Sequence, residues 1–254
     1  MMVGMSSGPH ETYEQALAHA VSIYPGIRVG RPGRSRLYRP TKAALHLCRL
    51  RISLDVDGVD EVAAGPAIMV GNHLSALDPV VGLVRTSWRV AAFTKVEAYE
   101  SGIGFFFRLM GQIPLRRGDE ASTDWGLDMA RRALESGAKV AIYPEGTRGP
   151  DPASMYRLHQ RLLVPLLEQN PDVPVHVIAT TYPPAGRFRS RARVRVSPRL
   201  PVDAHTMTGP EMTAVLRDAL VELSGLNYID RYAMVDKRRA AEAAERPAGE
   251  TEVR

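Results

Sequence analysis

Apolar and polar positions recur along this chain in two periods. Leu50, Ile52, Leu54 and Val56 alternate with Arg51, Ser53 and Asp55, the period of a strand with one buried face. Apolar runs at 67–70, 90–93, 111–115, 139–143, 175–180 and 193–197 predict further strands. Between several of them the period lengthens. Residues 119–135 put Leu127, Ala130 and Leu134 on one helical stripe, with Gly137 placed to cap the end. Residues 12–24 predict a short amphipathic helix with Tyr13, Leu17, Ala20 and Tyr24 on one face, stopped by Pro25-Gly26. Further helices are expected at 41–48, 154–169 and 209–223. Alternating helices and strands predict an α/β fold: a single domain with a central mixed, largely parallel sheet flanked by helices.

Three parts follow from the same pattern. Residues 1–40 read as a helix and a basic linker holding Arg28, Arg31, Arg34, Arg36 and Arg39. Residues 41–232 form the domain proper. Residues 233–254 are charged and poor in large apolar groups, so a frayed helix running into disorder is expected there.

Composition adds a partner class. The formal net charge is +5, and only four of the 33 basic residues are lysine: Lys42, Lys95, Lys139 and Lys237. Arginine grips phosphate through a bidentate fork, which suits a phosphorylated partner or an anionic membrane surface; an arginine-rich codon bias gives the same count. Cys48 is the only cysteine, so no disulfide forms within the chain, and its apolar helical neighbours make it a small hydrophobe rather than a nucleophile. No basic-then-apolar leader is visible, and no run of about 18 apolar residues occurs. A cytoplasmic protein with peripheral membrane contact is expected.

Three segments carry candidate chemistry, each after a predicted strand. In the first, Gly71 to Pro79, His73 precedes Asp78 by five residues. Histidine accepts a proton near neutral pH, and a carboxylate on its other nitrogen fixes the tautomer. Ser75 and Asp78 also have the spacing of a helix capping box, which makes Asp78 a helix-start residue only. In the second, Gly111 to Asp119, a strand delivers Arg116 and Arg117 with side chains on opposite faces, or else an ordinary charged loop. In the third, Tyr143 to Gly149, a compact turn carries Glu145, Gly146, Thr147 and Arg148, suited to an anion or to a local Glu–Arg pair. His176 has no partner at metal-ligand spacing and reads as a sheet histidine.

Taken together, NHxxxxD at 72–78, GxIPLxR at 111–117 and PEGTR at 144–148, with Val173-Pro174-Val175 further on, resemble the lysophosphatidic acid acyltransferase family of the glycerolipid acyltransferase superfamily. The resemblance covers about residues 41–200. It implies a glycerolipid-acyltransferase-like fold, with His73 and Asp78 catalytic. It implies that Arg117, Glu145, Gly146, Thr147 and Arg148 hold the acceptor's phosphate, and that Lys95 is a further basic position. The implied substrates are a lysophospholipid, most simply 1-acylglycerol 3-phosphate, and acyl-CoA or acyl-carrier protein as donor, with no metal or other cofactor. The chain departs from the family between Gly149 and Gln160, where the usual basic segment ending in glycine is missing. It departs again at His176.

Other classes fit less well. No predicted strand leads into a G-x-S-x-G elbow (the one match, Gly4 to Gly8, precedes every predicted element), and no P-loop or dinucleotide fingerprint occurs. The arginines are scattered rather than interleaved with aromatics, so no nucleic-acid partner is expected.

Overall fold

The burial of every second residue on some strands and of all residues on others already separates edge from centre. β1 (Ile52–Asp57) alternates, with Ile52 buried, Leu54 and Val56 half-buried and Ser53, Asp55 and Asp57 exposed, whereas β2 (Ala67–Gly71) is buried throughout. A computed structural model of the protein describes residues 12–32, 39–40, 43, 52–62, 64–79, 81, 86–102, 104–184 and 190–245. The expected helix at 41–48, with Cys48, lies outside the described residues, as do Arg34 and Arg36. The fold is α/β, with a mixed, mostly parallel seven-stranded sheet whose strands lie in the order 52–57, 190–196, 175–181, 67–71, 139–142, 90–95 and 113–115, and helices flanking it. The chain clusters into two units.

The first unit comprises residues 1–45, 65–67 and 88–141. Its strands β3 (Val90–Lys95), β4 (Ile113–Leu115) and β5 (Lys139–Ile142) run parallel, β3 pairing with both others. Helices α2 (Val96–Glu100) and α3 (Gly104–Leu109) link β3 to β4. The buried Gln112 amide accepts from the Ala92 N–H and donates to the Val90 and Met110 carbonyls, extending the sheet pairing beside β4.

α4 (Glu120–Glu135) starts where the Asp119 carboxylate accepts from the Ser122 N–H, and Gly137 follows its end at φ 79°. α1 (Tyr13–Ile23) packs on α4: the Trp125 indole donates to the Ala16 carbonyl at 2.8 Å. Its buried stripe is Ala16, Ala20 and Ile23, with Tyr24 beyond; the expected Tyr13 and Leu17 sit at its half-buried edge. The small residues face inward because α4 approaches closely there.

The second unit comprises residues 46–64, 68–87 and 142–254. β7 (Val175–Thr181) is parallel to β2 and antiparallel to β8 (Ser190–Val196), and β1 is parallel to β8. On β8, Ala192, Val194 and Val196 point inward, while Arg193 and Arg195 pair with Asp55 on the other face. α5 (Gln160–Glu168) and α6 (Gly209–Ser224) close the core through Leu163, Leu166, Leu167, Met212, Leu216 and Leu220.

The expected helix at 154–169 is corrected here. Residues Ser154–Tyr156 form a strand, β6, which pairs in parallel with β9 (Asn227–Ile229), and the helix begins only at Gln160. Long-range pairing overrides the local helical pattern. Ala233–Glu245, expected to fray, forms helix α7.

Candidate functional site

Two parallel strand ends, β2 and β7, build the site in the second unit. Their ladder ends with Gly71 opposite Ile178. Asn72 then continues it with its side chain: its amide donates to the Thr180 carbonyl at 2.9 Å and accepts from the Thr180 N–H at 2.7 Å. This two-point clasp is fully buried and fixes where the chain leaves the sheet.

His73 comes next. Its Nδ1–H donates to Asp78 Oδ2 at 2.9 Å, and its side chain is 20% exposed while that of Asp78 is fully buried. With the proton on Nδ1, Nε2 carries the free lone pair. Asp78 stands at the first helical position after the turn and is saturated with donors. Oδ2 accepts also from the Leu74 and Ser75 N–H groups at 2.9 and 2.8 Å, and Oδ1 accepts from the Tyr182 hydroxyl at 2.6 Å. One carboxylate thus organises the turn and binds the ring. The full capping box does not form, because the Ser75 hydroxyl accepts from Leu77 N–H instead.

The third segment folds as a tight turn. The Gly146 N–H donates to the Tyr143 carbonyl at 3.0 Å, and Gly146 has φ 72°, which favours glycine. Tyr143 packs its ring against His73, 5.2 Å between centroids. Gly71 makes room for that ring, since a Cβ there would lie 2.7 Å from it.

Glu145 points inward. It is 0% exposed; Oε1 accepts from the His73 N–H at 2.7 Å and Oε2 from the Tyr156 N–H at 2.8 Å. Burial pushes its carboxyl up to about 7, against the two N–H donors, with the Asp78 charge adding to the rise. Both oxygens are thus committed to the backbone, one of them beneath the histidine. The phosphate contact that the resemblance implied for Glu145 is closed to it. Thr147 is buried and Arg148 exposed, so Arg148 is the charge this turn presents to solvent.

Lys95 and Arg117 belong to the other unit. They lie at the shared C-terminal edge of β3 and β4, where Lys95 is in register with Leu115, two residues before Arg117. Both are exposed. Arg116 turns the other way, as alternation predicts, and donates to the Ile23 carbonyl at 2.9 Å. His176 is a buried sheet histidine whose Nδ1–H donates to the Ser197 carbonyl at 3.0 Å. Among the described residues no group of three or more His, Cys, Asp or Glu is placed to hold a metal ion. No described helix is long and apolar enough to cross a membrane.

The residues missed in the sequence are Asn72, Tyr143 and Tyr182. Asn72 and Tyr143 adjoin residues that stood out. Tyr182 lies 104 residues after Asp78 and carries no local signal.

Comparison with known proteins follows the same residues. The acyltransferase family model matches residues 53–175, a span holding His73, Asp78, Lys95, Arg117 and the 144–148 turn. A chloroplastic 1-acyl-sn-glycerol-3-phosphate acyltransferase of Arabidopsis thaliana is 32% identical over 101 residues, 39% of this chain and 28% of that protein. A chloroplastic 1-acyl-sn-glycerol-3-phosphate acyltransferase of Brassica napus is 31% identical over 100 residues, 38% of this chain and 29% of that protein. The match thus spans less than a third of the length of these curated relatives. The crystal structure of the 1-acyl-sn-glycerophosphate acyltransferase from Thermotoga maritima is similar with a TM-score of 0.55, covering 84% of this chain and 80% of that one at 20% identity. At that identity the likeness shows the fold.

Proposed function

We propose that this chain, whose residues 53–175 match the acyltransferase family model, is a lysophosphatidic acid acyltransferase that moves a fatty acyl group from a thioester donor to the hydroxyl of a lysophospholipid. The acceptor proposed is 1-acylglycerol 3-phosphate, giving phosphatidic acid. The observation that carries this reading is the His73–Asp78 pair at the end of β2, with Nδ1 bound to the carboxylate and Nε2 left to accept.

His73 Nε2 takes the proton of the acceptor hydroxyl as its oxygen attacks the thioester carbonyl. Asp78 stabilises the imidazolium that forms. Collapse of the tetrahedral species breaks the carbon–sulfur bond, and His73 returns the proton to the departing thiolate. A base so placed contributes roughly 10²–10⁴-fold. The thiol carrier is coenzyme A or acyl-carrier protein. Arg148 binds the acceptor's phosphate by a charge-assisted pair. Family resemblance extends a phosphate-binding role to Arg117 and Lys95 and to the turn at Gly146 and Thr147. The protein works at the cytoplasmic membrane surface, held peripherally through the exposed Phe105 and Phe106 and basic residues such as Arg28.

The test is acyl transfer by the purified protein from acyl-CoA to 1-acylglycerol 3-phosphate and to 1-acylglycerol. The phosphorylated acceptor should be preferred. Arg148→Ala should cost about 1.5–3 kcal/mol in kcat/KM for it and little for the other, the range for a hydrogen bond to a charged group. His73→Ala should abolish transfer with unchanged thermal unfolding. Near-normal turnover by that variant would end the mechanism. Equal use of both acceptors, unmoved by the arginine change, would leave acyl transfer and remove the phosphorylated acceptor.

A further inference from the structure

The carboxylate behind the base has a fourth partner from outside its own turn. Tyr182 follows β7 directly, one residue past Thr181. Its hydroxyl donates to Asp78 Oδ1 at 2.6 Å, and the Ser75 hydroxyl bonds the same phenol. The other three donors, His73 Nδ1 and the Leu74 and Ser75 N–H groups, all converge on Oδ2. Among the described residues, Tyr182 is therefore the donor that holds the second carboxylate oxygen, in a position where the carboxylate has no access to water.

We propose that Tyr182 is a positioning residue for acyl transfer: its O–H locks the plane of the Asp78 carboxylate and draws off part of its charge, which sets how strongly Asp78 holds the proton of His73. This rests on His73 acting as the base. Burial keeps the phenol protonated well above the usual tyrosine range, so it remains a donor throughout the working pH. The same arrangement explains a constraint on β7. Asn72 clasps Thr180, so the strand end that carries Tyr182 is tied to the turn that carries His73.

The consequence is a pH effect with a defined sign. Without the Tyr182 O–H the charge on Asp78 is less shared. The imidazolium is then favoured, so a higher pH is needed to obtain the neutral base. The other titratable groups facing this pair are Tyr143, whose ring lies on His73, and Glu145, which accepts from the His73 backbone. Both are the same in wild type and variant, so they cancel in the comparison.

The experiment follows the His73 ring by NMR titration alongside the pH profile of kcat/KM with acyl-CoA and 1-acylglycerol 3-phosphate. Three proteins are compared: wild type, Tyr182→Phe, and protein with 3-fluorotyrosine at position 182. Phenylalanine keeps the ring and removes the donor. The titration midpoint and the acid limb should rise together by about one pH unit, a roughly tenfold loss on the acid side, in line with losing a bond to a charged group. Fluorotyrosine is a stronger donor and should move both down. Midpoints that coincide in all three proteins overturn the proposal, as does a rate loss equal at every pH, which marks a purely structural role. The titration reads the coupling even if no acyl transfer occurs, so failure of the functional reading stays distinguishable from failure of this one.

Discussion

Glu145 shows at the level of one residue how burial and function meet. Its carboxyl is raised from 4.5 to about 7 because burial outweighs two backbone N–H donors. Between those values the folded protein keeps a proton that the unfolded chain has released. Stability must then fall as pH rises through the window, with a slope of at most about 1.4 kcal/mol per pH unit from this group. Below about 4.5 and above about 7 the group adds no slope. Glu145→Gln should lack this component, because the amide does not titrate. Urea unfolding of both proteins at pH 5, 6, 7 and 8 checks it: the advantage of wild type over the variant should shrink as pH rises. Parallel curves, or an advantage that grows, would show that Glu145 titrates normally in the folded state. The result bears on function because Oε1 of the same carboxylate holds the His73 backbone.

Among the elements, β6 has the least local support and the most consequence. It is three residues long and, among the described residues, pairs only with β9. Yet its Tyr156 N–H is bound by Glu145, and the Tyr156 ring lies directly over Gly149. A Cβ at Gly149 would overlap that ring, which is 1% exposed and cannot swing out. Gly149→Ala should therefore destabilise by about 1–3 kcal/mol, the usual cost of overpacking. Gly118→Ala provides the contrast. Its φ is +77° but nothing lies near its Cβ, so only the backbone cost of about 1–2 kcal/mol applies. Thermal unfolding should rank Gly149→Ala below Gly118→Ala, and only the former should also reduce acyl transfer. The reverse order would mean that Tyr156 yields without moving Glu145.

For the molecule as a whole, the relevant quantity is where charge and exposed apolar surface meet. Net charge is +5, nearly all arginine. In the first unit Phe105 and Phe106 are 56% and 43% exposed, while Phe107 packs on Tyr99. Gly30 packs on the Arg108 carbonyl, which brings the basic segment around Arg28 and Arg31 against the end of α3. An anionic lipid surface complements both features. Each basic residue near it contributes about 1 kcal/mol and is screened by salt. Sedimentation with anionic vesicles should exceed that with neutral ones and fall as salt rises. Phe105→Ser with Phe106→Ser should weaken it with little change in thermal unfolding. Sedimentation indifferent to lipid charge and to both substitutions would leave the membrane without a docking surface here.

What the sequence alone determined is local and periodic. Period-two alternation placed β1, and apolar runs placed β2, β3, β5 and β7 within a residue or two. The five-residue step from His73 to Asp78 marked a pair that does hydrogen-bond, because a short turn leaves few alternatives for a carboxylate so close. Gly137 marked the end of α4, since glycine takes the positive φ that a helix end favours. Tertiary structure alone decided the rest. Ser154–Tyr156 reads as helix until β9 arrives 73 residues later to pair with it. Glu145 reads as a surface carboxylate until two backbone N–H groups, one of them 72 residues away, enclose it. Tyr182 reads as nothing until parallel pairing of β2 and β7 brings both strand ends to one edge. A periodicity records which face a side chain takes. It carries no record of which distant hydrogen-bonding group will stand opposite, because strand order sets that partner and no local pattern encodes strand order.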